Sequence, residues 1–276
     1  MNRHIIKLLR SGRHAALVAA SPIDYATRAL HCKAHLPPLH LRRYVGPLAS
    51  FESSGAEFMG HLELLVGLRP DERILDIGCG CGQMALRLEK YLDEKAAYAG
   101  VDIHRASIRW CQKNIGSQRR NFRFTHIDVR NLAFNPGGTH RAESYRFPFD
   151  DGSFDVILLK SVFTHMRPPE VDNYLSEVSR LLSSKGRCLA TFFLLNDDQA
   201  TLARAGRNSL PFAFGEGAWR YRYEHSPESA VAYDERYVME LLDKHGLKLK
   251  APVYYGHWSG RKDALSFQDV LLIERS

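Results

Sequence analysis

Three acidic residues close three short apolar runs: Asp76 after "RIL", Asp102 after "AYAGV" and Asp128 after "FRFTHI". Behind the first lies "DIGCGCG", with Gly78, Gly80 and Gly82 at every second position. A loop with so few side chains turns tightly and lets a ligand approach its N–H groups. Asp76 offers charge to a cationic or hydroxyl-bearing group. An acid about 20 residues beyond a glycine loop suits ribose hydroxyls, which is where Asp102 falls. Asp128 can accept from an amino group on a base. One strand-end Asp is an ordinary turn residue. Three in succession point to a nucleoside-containing ligand. His165, in "SVFTHM", adds a group that titrates near neutrality and can take a proton.

These residues need a scaffold that delivers strand ends to one edge. "RILDIG", "AYAGVDI", "FRFTHID", "FDVILLKSVF" and "GRCLATFFLL" read as strands. The fourth is almost continuously apolar, as expected of a strand covered on both faces. Between them, "QMALRLEKYL", "ASIRWCQKNI" and "PPEVDNYLSEVSRLLS" read as helices, the last with prolines where a first turn tolerates them. Upstream, "SSGAEFMGHLELLVGL" is helical, opening on cap-type serines and stopped by Pro70 and Asp71. "DERYVMELLDKHG" ends at Gly246, and "LKLKAPVYYG" and "FQDVLLIERS" follow as two antiparallel strands. Strands alternating with helices predict an α/β fold with a mostly parallel sheet. In such sheets ligands bind beyond the carboxyl ends of the strands.

"ILDIGCGCGQMA", "GVDIHRASIRWCQKNI", "FTHIDVRN", "FPFDDGSFDVILLKSVFTHM" and "LLSSKGRCLATFF" together resemble the class I S-adenosylmethionine-dependent methyltransferases, from about residue 55 to the C-terminus. The resemblance implies a Rossmann-like seven-stranded sheet with an antiparallel last strand and S-adenosyl-L-methionine as cofactor. It implies that Asp76 and the backbone of Gly78, Cys79 and Gly80 hold the methionine part, with Gln83 beside them. Asp102 would take the ribose and Ile103 pack on the adenine. Asp128 and the Val129 N–H would read the adenine edge, and Lys160 and Ser161 would flank the methionyl group. Cys81 and Gln83 depart from the family's usual pattern without removing a glycine or acid. The tail "YYGHWSGRKDALSFQDVLLIE" further resembles bacterial small-molecule methyltransferases. It favours O-methylation of a small molecule or saccharide. An RNA or protein methyltransferase and a non-catalytic cofactor-binding subunit are the alternatives.

Methyl transfer to a hydroxyl calls for a general base. His165, just past the fourth strand, is the first choice, with His225, Tyr254, Tyr255 and His257 as rivals. Residues 1–50 read as a basic helical extension or lid, and residues 51–276 as the methyltransferase domain. Residues 196–232 do not fit the repeat and read as an insertion covering the mouth of the site. It carries Phe212, Phe214, Trp219, Tyr221 and Tyr223 among Arg207, Arg220 and Arg222.

The formal charge of +7 admits an anionic partner, but the basic residues are scattered and no RNA-binding module is present. Nucleic acid is therefore not expected as substrate. Five cysteines without framework spacing indicate a reducing compartment, and Cys79 and Cys81 lack the further ligands a zinc site needs. No metal is expected. The apolar run near the N-terminus is broken by Arg10, Arg13 and His14, and nothing approaches the roughly 18 apolar residues of a membrane helix. These features predict a cytoplasmic protein without membrane contact, and are compatible with a homo-oligomer.

Overall fold

The computed structural model describes residues 15–276; the basic start of the chain, residues 1–14, lies outside the described residues. Two short helices, α1 (Ser21–Leu30) and α2 (Leu39–Arg42), lead into α3 (Phe51–His61). Then come β1 (Arg73–Ile77), α4 (Ala85–Leu88), β2 (Ala97–Asp102), α5 (Arg105–Cys111), β3 (Phe122–His126), β4 (Phe154–Leu159), α6 (Pro168–Leu181) and β5 (Leu182–Phe192). The chain continues through β6 (Leu194–Leu195), α7 (Asp197–Arg204), β7 (Trp219–Tyr221), β8 (Val231–Asp234), α8 (Glu235–Lys244), β9 (Leu247–Leu249) and β10 (Asp269–Arg275).

Seven strands form one sheet in the order β3-β2-β1-β4-β5-β10-β9. The first five run parallel, and β10 is antiparallel to both β5 and β9. Successive residues of a strand face opposite sides. Leu75, Ile157 and Leu159 accordingly join the core beneath α6, while Ile74, Val156 and Leu158 join the core beneath α4 and α5. Each such side chain, fully buried, contributes about 1.5–3 kcal/mol. Register matters for function: Asp76 pairs with Gly100 and Asp102 with His126, which brings the strand-end acids to one edge.

Two buried polar knots fix what lies around that edge. Arg187 on β5 reaches Glu72 at 2.7 Å and also bonds the carbonyls of Val66 and Gly67, pinning the turn between α3 and β1. Breaking such a buried pair typically costs about 3–5 kcal/mol. Asp269, at the start of β10, accepts from the Leu194 and Gly256 N–H groups at 2.6 Å and from the Trp258 indole at 2.9 Å. That knot sets the position of residues 266–268.

Two expectations change here, and the insertion takes on a defined structure. Ser53 and Ser54 do not cap α3; it begins at Phe51 with no side-chain cap, and both serines lie inside the helix. The helix is ended by a left-handed Gly67, φ 65°, after a wide turn at Leu62–Val66, rather than by Pro70. The insertion is structured, contributing α7 and a small second sheet of order β6-β8-β7.

Candidate active site

The glycine loop, the ends of β1 to β4, the start of α3 and residues 266–268 enclose a cavity of about 660 Å³. Small-molecule sites commonly fall within roughly 300–1,000 Å³. Gly78 and Gly80 have φ of 77° and 55°. A Cβ on Gly78 would lie 2.6 Å from Val162, and one on Gly80 2.7 Å from Val45. The loop therefore needs glycine twice over, for its backbone conformation and for the close approach of the cavity walls.

Asp76 is buried beneath the loop and accepts from the Tyr98 hydroxyl at 2.6 Å. Burial pushes its carboxyl up to about 6, against the pull of that hydrogen bond and of Lys160. Asp102 accepts from the Gly80 N–H at 2.7 Å and the His104 N–H at 2.6 Å, one to each oxygen. Each oxygen keeps one lone pair for a ligand. Burial raises this carboxyl as well, opposed by those N–H groups. Ile103 lines the cavity beside it, and Tyr44 packs on His104 with ring centroids 4.2 Å apart.

Cys79 lines the cavity, and its sulfur packs toward Gly100, where a Cβ would come within 3.0 Å. Burial raises the thiol well above its ordinary range, so it is inert. Gln83 lines the wall but works as a tie: its Nε2 donates to the Phe51 carbonyl at 2.7 Å and its Oε1 accepts from Lys160. The Lys160 ammonium also donates to Ser54 at 2.8 Å and sits 4.4 Å from the centre of the Phe58 ring. Burial lowers it to about 8, with Glu57 and Asp76 opposing. Ser161 holds a left-handed backbone, φ 56°, its N–H on Thr191 at 2.8 Å and its hydroxyl on Gln268 at 2.9 Å. Such a conformation costs a non-glycine residue about 1–2 kcal/mol and persists where neighbours enforce it.

His165 also lines the cavity. Its Nδ1 lies 3.0 Å from the Glu228 carbonyl. A carbonyl only accepts, so Nδ1 carries the proton and Nε2 is the basic nitrogen of the neutral ring. Burial lowers its pKa.

Of the cofactor residues expected from sequence, Asp128 alone is not part of the cavity wall. Its oxygens accept from Asn135 at 3.2 Å and Thr139 at 3.0 Å. Its neighbour Val129 is in the wall, and the Val129 N–H has no acceptor among the described residues. The insertion, expected over the mouth, supplies no wall residue, nor do His225, Tyr254, Tyr255 or His257. Its aromatic residues pack on one another and on Trp258 instead. The mouth is formed by residues the sequence did not single out: Tyr44 and Val45, Ser54 and Glu57 on α3, and Ser266 to Gln268. Ser266 donates to Glu57 at 2.5 Å, closing the rim between segments 209 residues apart. Among the described residues no His, Cys, Asp or Glu cluster could hold a metal, and no helix is long and apolar enough to cross a membrane.

Residues 75–190 match the family model of the methyltransferase domain. With the strand order above, this stretch carries a methyltransferase domain, set in a Rossmann-like seven-stranded sheet whose last long strand is antiparallel. The chain is 32% identical over 176 residues to the phthiotriol/phenolphthiotriol dimycocerosates methyltransferase of Mycobacterium leprae, covering 63% of this chain and 56% of that protein. It is 27% identical over 154 residues to the 27-O-demethylrifamycin SV methyltransferase of Amycolatopsis mediterranei, covering 56% and 50%. It thus spans about half the length of these curated relatives. The magnesium protoporphyrin IX methyltransferase of Synechocystis, solved with bound S-adenosylhomocysteine, shares the fold at TM-score 0.53 and 15% identity, over 85% of this chain and 92% of that one.

The cavity fits the family's cofactor on its own chemistry. It offers a glycine floor, two free lone pairs on Asp102 and an unpaired N–H at Val129. These answer a methionyl chain, a ribose diol and a base edge.

Proposed function

We propose that this chain transfers a methyl group from S-adenosylmethionine to a hydroxyl of a small molecule. The observation that carries the reading is the reach of the cavity past the cofactor residues. Beyond Lys160 and Ser161 it continues to a rim of Ser54, Glu57, Phe58 and Ser266 to Gln268, which suits an acceptor small enough to be surrounded. The named activities of the lipid and antibiotic relatives agree with a small acceptor.

The cofactor supplies a sulfonium-bound methyl group for in-line displacement. The chain's residues hold the two partners in line and keep water out. Asp76 and the loop backbone hold the methionyl part, Asp102 the ribose, and Lys160 and Ser161 flank the reacting end. His165 Nε2 takes the acceptor's proton, while Glu228 keeps the ring in the required tautomer.

His165→Asn tests the last step. An Asn amide can still donate to the Glu228 carbonyl, so cofactor affinity and melting temperature should stay near wild type. Turnover should fall about 10²–10⁴-fold. The wild-type rate should rise with pH through a pKa below the ordinary histidine value, since burial disfavours the imidazolium, and level off above it. Methyl-labelled cofactor with pooled phenols, polyols and glycosides supplies the acceptor. A variant that keeps most of its turnover removes His165 from proton transfer.

A further inference from the structure

An adenine presents an acceptor at N1 beside a donor at its 6-amino group. The Val129 N–H supplies a free donor in the cavity wall. Its companion must be an acceptor. Asp128 is next in the chain, but its two oxygens turn to Asn135 and Thr139, and its carbonyl takes the Thr139 and His140 N–H groups.

Glu170 is in the wall. It is the third residue of α6, and its Oε2 accepts from the Arg167 N–H at 2.6 Å, which fixes the carboxyl group. Its Oε1 has no hydrogen bond among the described residues. Tyr174, one turn further along α6, lines the cavity too and packs in one core cluster with Val129, Ile127, Ala142 and Met166. Glu170 Oε1 is the open carboxylate oxygen on this side of the wall, His165 Nε2 being the nitrogen assigned above to proton transfer. Asn131 Oδ1 takes the Ala133 and Phe134 N–H groups, and His165 is tied to Glu228.

We propose that Glu170 Oε1 and the Val129 N–H together read the adenine edge, Val129 donating to N1 and Glu170 accepting from the 6-amino group. This rests on the cofactor assigned above and makes Glu170 the base-selecting residue of that site. Burial, with Glu228 and Glu143 nearby, holds the carboxyl up at about 7 against the Arg167 N–H. A donor on Oε1 favours its ionised form.

Calorimetry with two ligands tests it: S-adenosylhomocysteine, and its analogue with hydrogen in place of the 6-amino group, which keeps N1 as an acceptor for the Val129 N–H. Wild type should prefer the adenosyl ligand by roughly 10-fold or more, the loss expected for a hydrogen bond to a charged group. Glu170→Gln keeps an acceptor for the Arg167 N–H and turns its amide NH₂ toward the cavity. It should fold normally and lose most of that preference, whereas Asp128→Asn should keep it. Retention in Glu170→Gln with loss in Asp128→Asn overturns the proposal, as does a preference untouched by both changes or absent from wild type. Wild-type protein that binds neither ligand would overturn the cofactor assignment itself.

Discussion

Asp102 carries the most quantitative prediction. Each carboxylate oxygen already accepts one backbone N–H, from Gly80 at 2.7 Å and from His104 at 2.6 Å. Asp102→Asn preserves the shape but turns one oxygen into an NH₂ group. One backbone N–H then faces a donor, and one ribose hydroxyl loses its charged acceptor. The first loss acts on the protein alone. An unsatisfied buried N–H costs about 1–3 kcal/mol; at roughly 2–4 °C per kcal/mol for a domain of this size, the melting temperature should fall by about 2–12 °C. The second acts only with ligand. A hydrogen bond to a charged group contributes about 1.5–3 kcal/mol, so affinity for S-adenosylhomocysteine should fall roughly 10- to 150-fold. Calorimetry separates the two when repeated with the 2′,3′-dideoxy analogue. Wild type and variant should bind that ligand alike. If the variant weakens both ligands equally, Asp102 acts through the loop and does not hold the ribose. Unchanged affinity for both would take it out of the site.

Two further outcomes follow from the geometry. Lys160 holds its proton only up to about pH 8, against 10.5 ordinarily; between those values the unfolded chain binds a proton that the folded chain does not, so stability gains with rising pH across that window. Denaturant titrations of wild type and Lys160→Met at several pH values should show a more positive pH slope in wild type across that window, and the same slope in both would contradict it. Gly80→Ala combines a left-handed backbone, about 1–2 kcal/mol for a side-chain-bearing residue, with a Cβ 2.7 Å from Val45; its melting temperature should drop, and Val45→Ala should restore the part due to collision but not the rest.

Much of the fold was readable because a parallel sheet buries both faces. "FDVILLKSVF" has almost no polar face to confuse its period, and its first six residues are β4, the strand ending four residues sooner than the apolar run. The glycine loop and Asp102 were readable for a related reason, since a strand end fixes where the next few residues must lie. The serines of "FESSG" misled because helix propensity reads Ser as a cap. Here Ser53 bonds back to the Ser50 carbonyl and Ser54 serves Lys160, so tertiary contacts outweigh the local signal. The rim was unreadable. Glu57 and Ser266 meet only because Asp269 anchors the approach to β10 and because Gln83 and Lys160 hold α3 against the loop.

The insertion shows how a compositional reading can find the right residues and give them the wrong task. Its aromatic and arginine side chains look suited to a ligand, but they are engaged elsewhere: Phe214 stacks on Tyr221, Arg222 lies over Tyr223, Arg220 bonds the Gly217 carbonyl, and Arg207 bonds the Gly260 carbonyl. Phe212 joins Phe193 and Trp258 in a separate small core. What reaches the cavity is an effect and not a side chain. Glu228 bonds the Leu132 N–H and pairs with Arg167 at 3.1 Å, which locks the segment to the loops after β3 and β4. Its carbonyl then accepts a hydrogen bond from His165 Nδ1. A backbone carbonyl bears no sequence signature, so composition could not have revealed this contact. Yet it is what leaves Nε2 basic, and so ties a segment outside the cavity wall to the residue proposed to accept the proton.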